Sequence, residues 1–149
     1  LGIHLIFFFF FESDEQIIKT AHICNSLPIT NVKLHNLHVF MLSHLETLYN
    51  QQAFSPIEFE DYRNKVELFL SNLHPRIAVH RLTAYAPRWE ELIAPSWTSD
   101  KMGPHQRIID HLRKNKSFQG CKIIPQSDKD RDLIHQMSLR VERSSGIDR

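Results

Sequence analysis

The chain has 149 residues, 42% of them apolar, and a formal net charge of +1 at pH 7. That is enough apolar material for one domain with a core, while the near-zero charge argues against nucleic acid or an anionic membrane as a partner. Only Cys24 and Cys121 are present, so there is no disulfide framework and a cytoplasmic setting is expected.

The chain opens on Leu1, inside a strand-like stretch, which points to the C-terminal part of a longer protein or to a degraded gene product. Ile3, Leu5 and Phe7 alternate with His4 and Ile6 and predict a mostly buried strand. Phe8–Phe11 follow where a connecting loop belongs. The apolar run from Leu5 to Phe11 is far shorter than the ~20 residues of a membrane span, and it lacks the flanks of a signal peptide. Ser13 and Gln16 form the S-x-x-Q of a capping box, with Asp14 and Glu15 suited to the first turn. A helix over 14–26 follows, with Ile17, Ile18, Ala21, Cys24 and Leu27 on one apolar stripe. Cys24 on that stripe reads as a small buried hydrophobe.

Val32 to Phe40 is expected to form a second strand, completing a right-handed βαβ unit with parallel strands. A connection with a short helix near 45–50 leads to the clearest helix, Glu58 to Leu73, where Phe59, Tyr62, Val66, Phe69, Leu70 and Leu73 keep helical spacing. Ile77 to Leu82 is the third strand. The order β-α-β-α-β predicts a parallel sheet with helices packed against it. After Thr83 the prolines Pro87, Pro95 and Pro104 break the chain into short pieces, with Trp89 and Trp97 as expected anchors. Ser99 or Asp100 caps a helix running to Lys114, with Ile108, Ile109 and Leu112 inward. Beyond Lys116 the sequence is polar, with a helical turn or two expected over 133–141 and disorder in the last ten residues.

Parallel strands send their C-terminal ends to one edge, which brings 8–12, 38–44 and 81–88 together. His35, His38 and His80 fall near that edge. A small metal-dependent hydrolase would use such a three-histidine set. However, H-x-x-H on a strand turns its side chains to opposite faces, no H-E-x-x-H is present, and no metal ligand is assigned. His80, Arg81 and Thr83, followed by Arg88, are more suggestive, since a buried strand ending in such groups needs partners for them. Arg81 and Arg88 suit a carboxylate or phosphate; pairing with Glu90 or Glu91 to fix the loop is the alternative. The basic run Arg113, Lys114 and Lys116 is explained by the helix dipole, so no nucleic-acid partner is expected. No nucleophile–base set, P-loop or carboxylate pair stands out, and catalytic residues are unassigned.

Taken in order, Gly2-Ile-His-Leu-Ile-Phe7 with Glu12-Ser13, Val32-Lys-Leu-His35, Leu37-His38-Val39, His80-Arg81-Leu82-Thr83, Ala86-Pro87-Arg88, and Leu92-Ile-Ala-Pro95 with Trp97 carry a family likeness. The chain resembles the C-terminal half of an uncharacterised bacterial subfamily of radical SAM proteins, related to oxygen-independent coproporphyrinogen dehydrogenase and elongator-type enzymes. The resemblance covers roughly 2–120. It implies an α/β fold: a partial (β/α) barrel over residues 1–120, parallel strands with helices packed outside; beyond it, the polar composition of 121–149 points to an irregular, partly disordered extension. It also implies a 4Fe-4S cluster and S-adenosylmethionine, cleaved to a radical that abstracts hydrogen from a substrate. By the same resemblance Gly2, Ile3 and Glu12 lie near the cofactor, and His35, His38, His80, Arg81, Thr83 and Arg88 contact substrate.

The chain departs from the family at several points. The C-x-x-x-C-x-x-C that ligates the cluster is absent, and two distant cysteines cannot supply three thiolates. Phe8–Phe11 replace a Gly-Leu-Pro-Gly turn whose glycines admit the adenosyl group. Met41-Leu-Ser-His44 replaces Lys-Gly-Thr-Pro, and Ala84-Tyr85 replaces a glycine and an acidic residue. The expectation is a half-barrel inactive alone, partnered by a missing N-terminal half. The alternative is a non-catalytic binding or scaffold module using the Phe-rich edge.

Overall fold

In the computed structural model, which describes residues 1–7 and 12–145, the opening alternation becomes strand β1 (Gly2–Phe7). Ile3, Leu5 and Phe7 turn to the core, and His4 and Ile6 to the other face. Helix α1 (Asp14–Ser26) starts at Ser13. The Ser13 hydroxyl accepts from the Gln16 N–H at 3.3 Å, and the Gln16 side chain accepts from the Ser13 N–H at 2.7 Å, the predicted capping box. At its other end Arg76 donates to the carbonyl of Asn25 in the last turn and to those of Leu27 and Ile29 just beyond it.

Strand β2 (Asn31–Asn36) pairs in parallel with β1, from Gly2 opposite Asn31 to Phe7 opposite Asn36. Strand β4 (Ala78–Arg81) lies parallel on its other side, so the sheet order is β1-β2-β4. Helices α1 and α3 (Phe59–Asn72) cover one face. Between helices and sheet lies the main core, including Phe7, Ile17, Leu34, Tyr62, Val66 and Phe69. Burying such side chains stabilises the fold by ~1.5–3 kcal/mol each.

The predicted single strand over 32–40 is two strands. The chain breaks after Asn36, and β3 (Val39–Phe40) pairs antiparallel with β5 (Leu92–Ala94) in a separate two-stranded sheet. The cause is packing: Val39 belongs to a second apolar cluster with Phe54 and Ala94, supported by Leu45 and Leu48 of α2 (His44–Asn50). Trp97 is an anchor, donating through Nε1 to the Ile57 carbonyl at 3.0 Å and meeting the rings of Phe59 and Tyr62. Trp89, expected to anchor as well, is 56% exposed.

Helix α4 (Gly103–Lys114) is held at its start by Asp100, whose carboxylate accepts from the Met102 and Gly103 N–H groups. Ile108 is buried, with Ile109 and Leu112 packed beside it, as the spacing predicts. Gly120 adopts φ +84° and lies against Pro75, where a Cβ would come within 2.8 Å of the proline ring. The helix expected as a turn or two over 133–141 is longer, and residues 146–149 of the tail lie outside the described residues. Helix α5 (Asp128–Ser145) begins at Ser127, whose hydroxyl accepts from the Asp130 N–H, and its Asp130 reaches His74 at 3.2 Å. Among the described residues no helix is long and apolar enough to cross a membrane.

Candidate functional site

One face of the three-stranded sheet carries the helices; among the described residues the other is uncovered. Alternation along β1 and β2 puts His4, Ile6, Lys33 and His35 on this second face, opposite the buried Val32 and Leu34. The His4 and His35 rings stack with centroids 5.2 Å apart. Arg81 of β4 extends an Nη2 group to His35 Nε2. A histidine–histidine–arginine row therefore crosses all three strands. An arginine donates only, so His35 Nε2 accepts and its proton sits on Nδ1. Burial, reinforced by the positive charge of Arg81, holds the His35 imidazole below its ordinary value and keeps it neutral. Arg81 Nε is buried and has no hydrogen-bond partner among the described residues. The row sets the Arg81 cation beside the neutral His35 ring, a surface that favours an anionic group.

The second group sits at the strand ends. The Asn36 side chain is 3% exposed. Its carboxamide oxygen accepts from the Ala84 N–H at 2.8 Å and from the Thr83 hydroxyl at 2.9 Å. Its NH₂ must then face His38 Nε2, 2.9 Å away, so that nitrogen accepts and is unprotonated. Burial pushes the His38 imidazole below its ordinary value, opposed in part by the Ala84 carbonyl 3.3 Å from Nε2. Tyr62, under the same corner, donates to the Leu82 carbonyl at 2.7 Å. Burial pushes its phenol far up, so it remains a neutral donor.

The residues predicted for a site thus fall into separate places. His35 and Arg81 share the open face, while His38 and Thr83 share the Asn36 corner. Arg88 joins that corner indirectly: its guanidinium lies over Phe40, whose ring meets His38 edge-on, and it pairs with Glu91 at 3.0 Å. His80 is exposed on β4, apart from both groups. Gly2 and Ile3 lie at the start of β1, the end away from Phe7 and Asn36. A Cβ at Gly2 would strike the Asn31 side chain, and Ile3 packs on the core. The Glu12 carbonyl accepts from Lys65 of α3 at 3.1 Å. Phe8–Phe11 lie outside the described residues. Two participants were missed from sequence. His4 had a usable signal, since it shares the period-two face of Ile6. Asn36 had none, because an asparagine at a strand end reads as a turn former.

Cluster ligation is a question of thiols. Cys24 is 1% exposed in the core, where burial raises its thiol, and Cys121 follows α4 with its Sγ 3.8 Å from the Ser117 hydroxyl. Among the described residues no three histidine, cysteine or acidic side chains gather with metal-ligand geometry. The chain's own residues do not fit an iron–sulfur cluster.

Residues 29–114, more than half of the chain, match the family described as Radical SAM C-terminal domain. An uncharacterized protein of Methanocaldococcus jannaschii, MJ0486, is 25% identical over 112 residues, which cover 75% of this chain and 35% of the relative. The chain thus spans about a third of that relative's length.

Proposed function

Because this chain belongs to the radical SAM C-terminal domain family, we propose that its three parallel strands are one wall of a partial (β/α) barrel whose lumen holds S-adenosylmethionine and substrate. The uncovered sheet face carries this reading. Parallel sheets are normally covered on both sides, and among the described residues the sheet bearing His4, His35 and Arg81 has helices only on its other face. Residues 1–120 supply the wall and 121–149 an appended segment. The 4Fe-4S cluster is ligated by cysteines outside this chain, in an N-terminal half acting as its partner, and the chain alone is inactive. In this reading the protein works in the cytoplasm, within the bacterial subfamily related to oxygen-independent coproporphyrinogen dehydrogenase and elongator-type proteins. His35 and Arg81 face the reacting space, His38 and Thr83 shape its rim, and Arg88 and His80 stand further out. Gly2, Ile3 and Glu12 form the cofactor-side strand and its exit.

Anaerobic reconstitution with iron and sulfide tests the inactivity. No charge-transfer absorption and no deoxyadenosine are expected; formation of both would overturn it. Titrating S-adenosylmethionine into ¹⁵N-labelled protein tests the wall. Amide shifts are expected at Ile6, His35 and Arg81, and shifts confined to other regions, or none, would overturn it.

A further inference from the structure

A cavity of about 370 Å³ lies where α4 and α5 lean over the outer edge of β4, and Arg81, which reaches His35 on the open face, also lines it. β4 pairs only with β2, so that edge has no strand beyond it among the described residues. Gln119 closes one end by donating to the carbonyls of His74 and Ile77. The walls are apolar: Val79 of β4 and Leu82 just past its end, Ile109 and Leu112 of α4, Met137 and Val141 of α5. The ionisable side chains that line it are all basic or imidazole: His80, Arg81, His105, Arg113 and Arg140, with no aspartate or glutamate among the lining residues. Arg113 has a carboxylate nearby, Asp110, but at 3.6 Å on the exposed side of the helix. The volume falls at the small end of the ~300–1,000 Å³ usual for ligand pockets, and apolar walls with a few converging polar groups are their usual make-up.

We propose that this cavity binds a small amphipathic carboxylate, a medium-chain fatty acid or similar acyl compound, with the chain between β4, α4 and α5 and the carboxylate at the basic rim. Apolar walls alone would take any hydrocarbon; the one-signed rim selects an anion, because a carboxylate there meets donors and no repelling charge. Met137 gives the wall an adaptable side chain that suits a flexible tail. The site needs no cluster; it shares Arg81 and His80 with the radical SAM reading, but its apolar walls from α4 and α5 have no part in that reading.

Calorimetric titration of the whole chain with hexanoate, octanoate and decanoate, below their micellar concentrations, tests the proposal. Saturable one-to-one binding is expected, tightening about fourfold per added methylene, the equivalent of ~0.8 kcal/mol for each buried CH₂. Decanol should bind roughly tenfold more weakly than decanoate, for want of a charge-assisted bond. Amide shifts should centre on Val79, Leu112 and Val141. Met137→Trp, which fills the cavity, and Arg113→Gln, at the surface, should each weaken decanoate with the remaining spectrum unchanged. No saturable decanoate binding, equal affinity for decanol, or shifts centred elsewhere would each overturn the assignment. Should Met137→Trp fail to fold, the wild-type comparison and Arg113→Gln still decide it.

Discussion

Asn36 and Ala84 are joined by a 2.8 Å bond from the Ala84 N–H to the Asn36 carboxamide, which ties the end of β2 to the segment leaving β4. Because the donor is a backbone N–H, the amide orientation is fixed, and so is the neutral, accepting state of His38 Nε2. Asn36→Leu leaves the Ala84 N–H and the Thr83 hydroxyl without their acceptor. A loss of roughly 2–3 kcal/mol in urea unfolding is expected, from desolvated groups left unpaired. A change under half a kcal/mol would mean water replaces the amide.

Protonation of His38 should weaken the same corner. Its folded-state value lies below the ordinary 6.5, so between the two values the unfolded chain binds more protons than the folded one. The stabilisation is therefore complete above the unfolded value and declines as pH falls below about 6.5 toward the folded value. His35 acts in the same direction. Urea midpoints measured from pH 7.5 to 5.5 should fall, and fall less in a His38→Gln variant; parallel curves would sink the idea.

Tyr62→Phe removes the hydroxyl that donates to the Leu82 carbonyl while keeping the ring packed against Phe7 and Trp97. A loss of about 1–2 kcal/mol is expected, mostly the unmet carbonyl. Amide exchange should quicken around Leu82 and leave α1 unchanged, which separates a local effect from general loosening.

Local chemistry was legible in the sequence where one residue type sufficed to decide a structure. Ser13 with Gln16 marked the start of α1, and the spacing of Tyr62, Val66 and Phe69 marked the buried face of α3. What failed was long-range. The break after Asn36 depends on Val39 pairing with Ala94, and it is Trp97, not the exposed Trp89, that packs on Phe59 and Tyr62. Helix α5 was expected only as a turn or two over 133–141, because its polar sequence has a weak apolar stripe, while its start rests on Ser127 and on Asp130 meeting His74. For the site, Arg81 and His35 were visible as residue types, but their pairing required the register of β2 against β4, which shifts between Val32 and Lys33.

The two tryptophans provide a direct contrast. Trp97→Phe loses the Nε1–H bond to Ile57 and part of the packing on Phe59, so about 1–2 kcal/mol of stability should go. Trp89→Phe, at an exposed turn, should stay within ~0.5 kcal/mol of the parent. Similar losses from both would mean that the turn over 89–91 is packed more tightly than its exposure indicates.

Arg81 should govern the state of His35. Burial is the larger cause of the low His35 value, and the guanidinium beside it is next. Arg81→Gln removes the charge but keeps an amide donor within reach of the ring, so His35 should titrate closer to its ordinary 6.5 while remaining below it. The imidazole C–H proton resonance of His35, followed against pH, reports this directly, with His4 as the stacked neighbour. An anion docked on the row should act in the same sense, since negative charge favours the imidazolium. Titration with inorganic phosphate should therefore raise the His35 midpoint in the parent protein and leave the Arg81→Gln variant largely unmoved. A parent midpoint insensitive to phosphate would remove the anion-binding role from the open face, whatever the packing of the sheet.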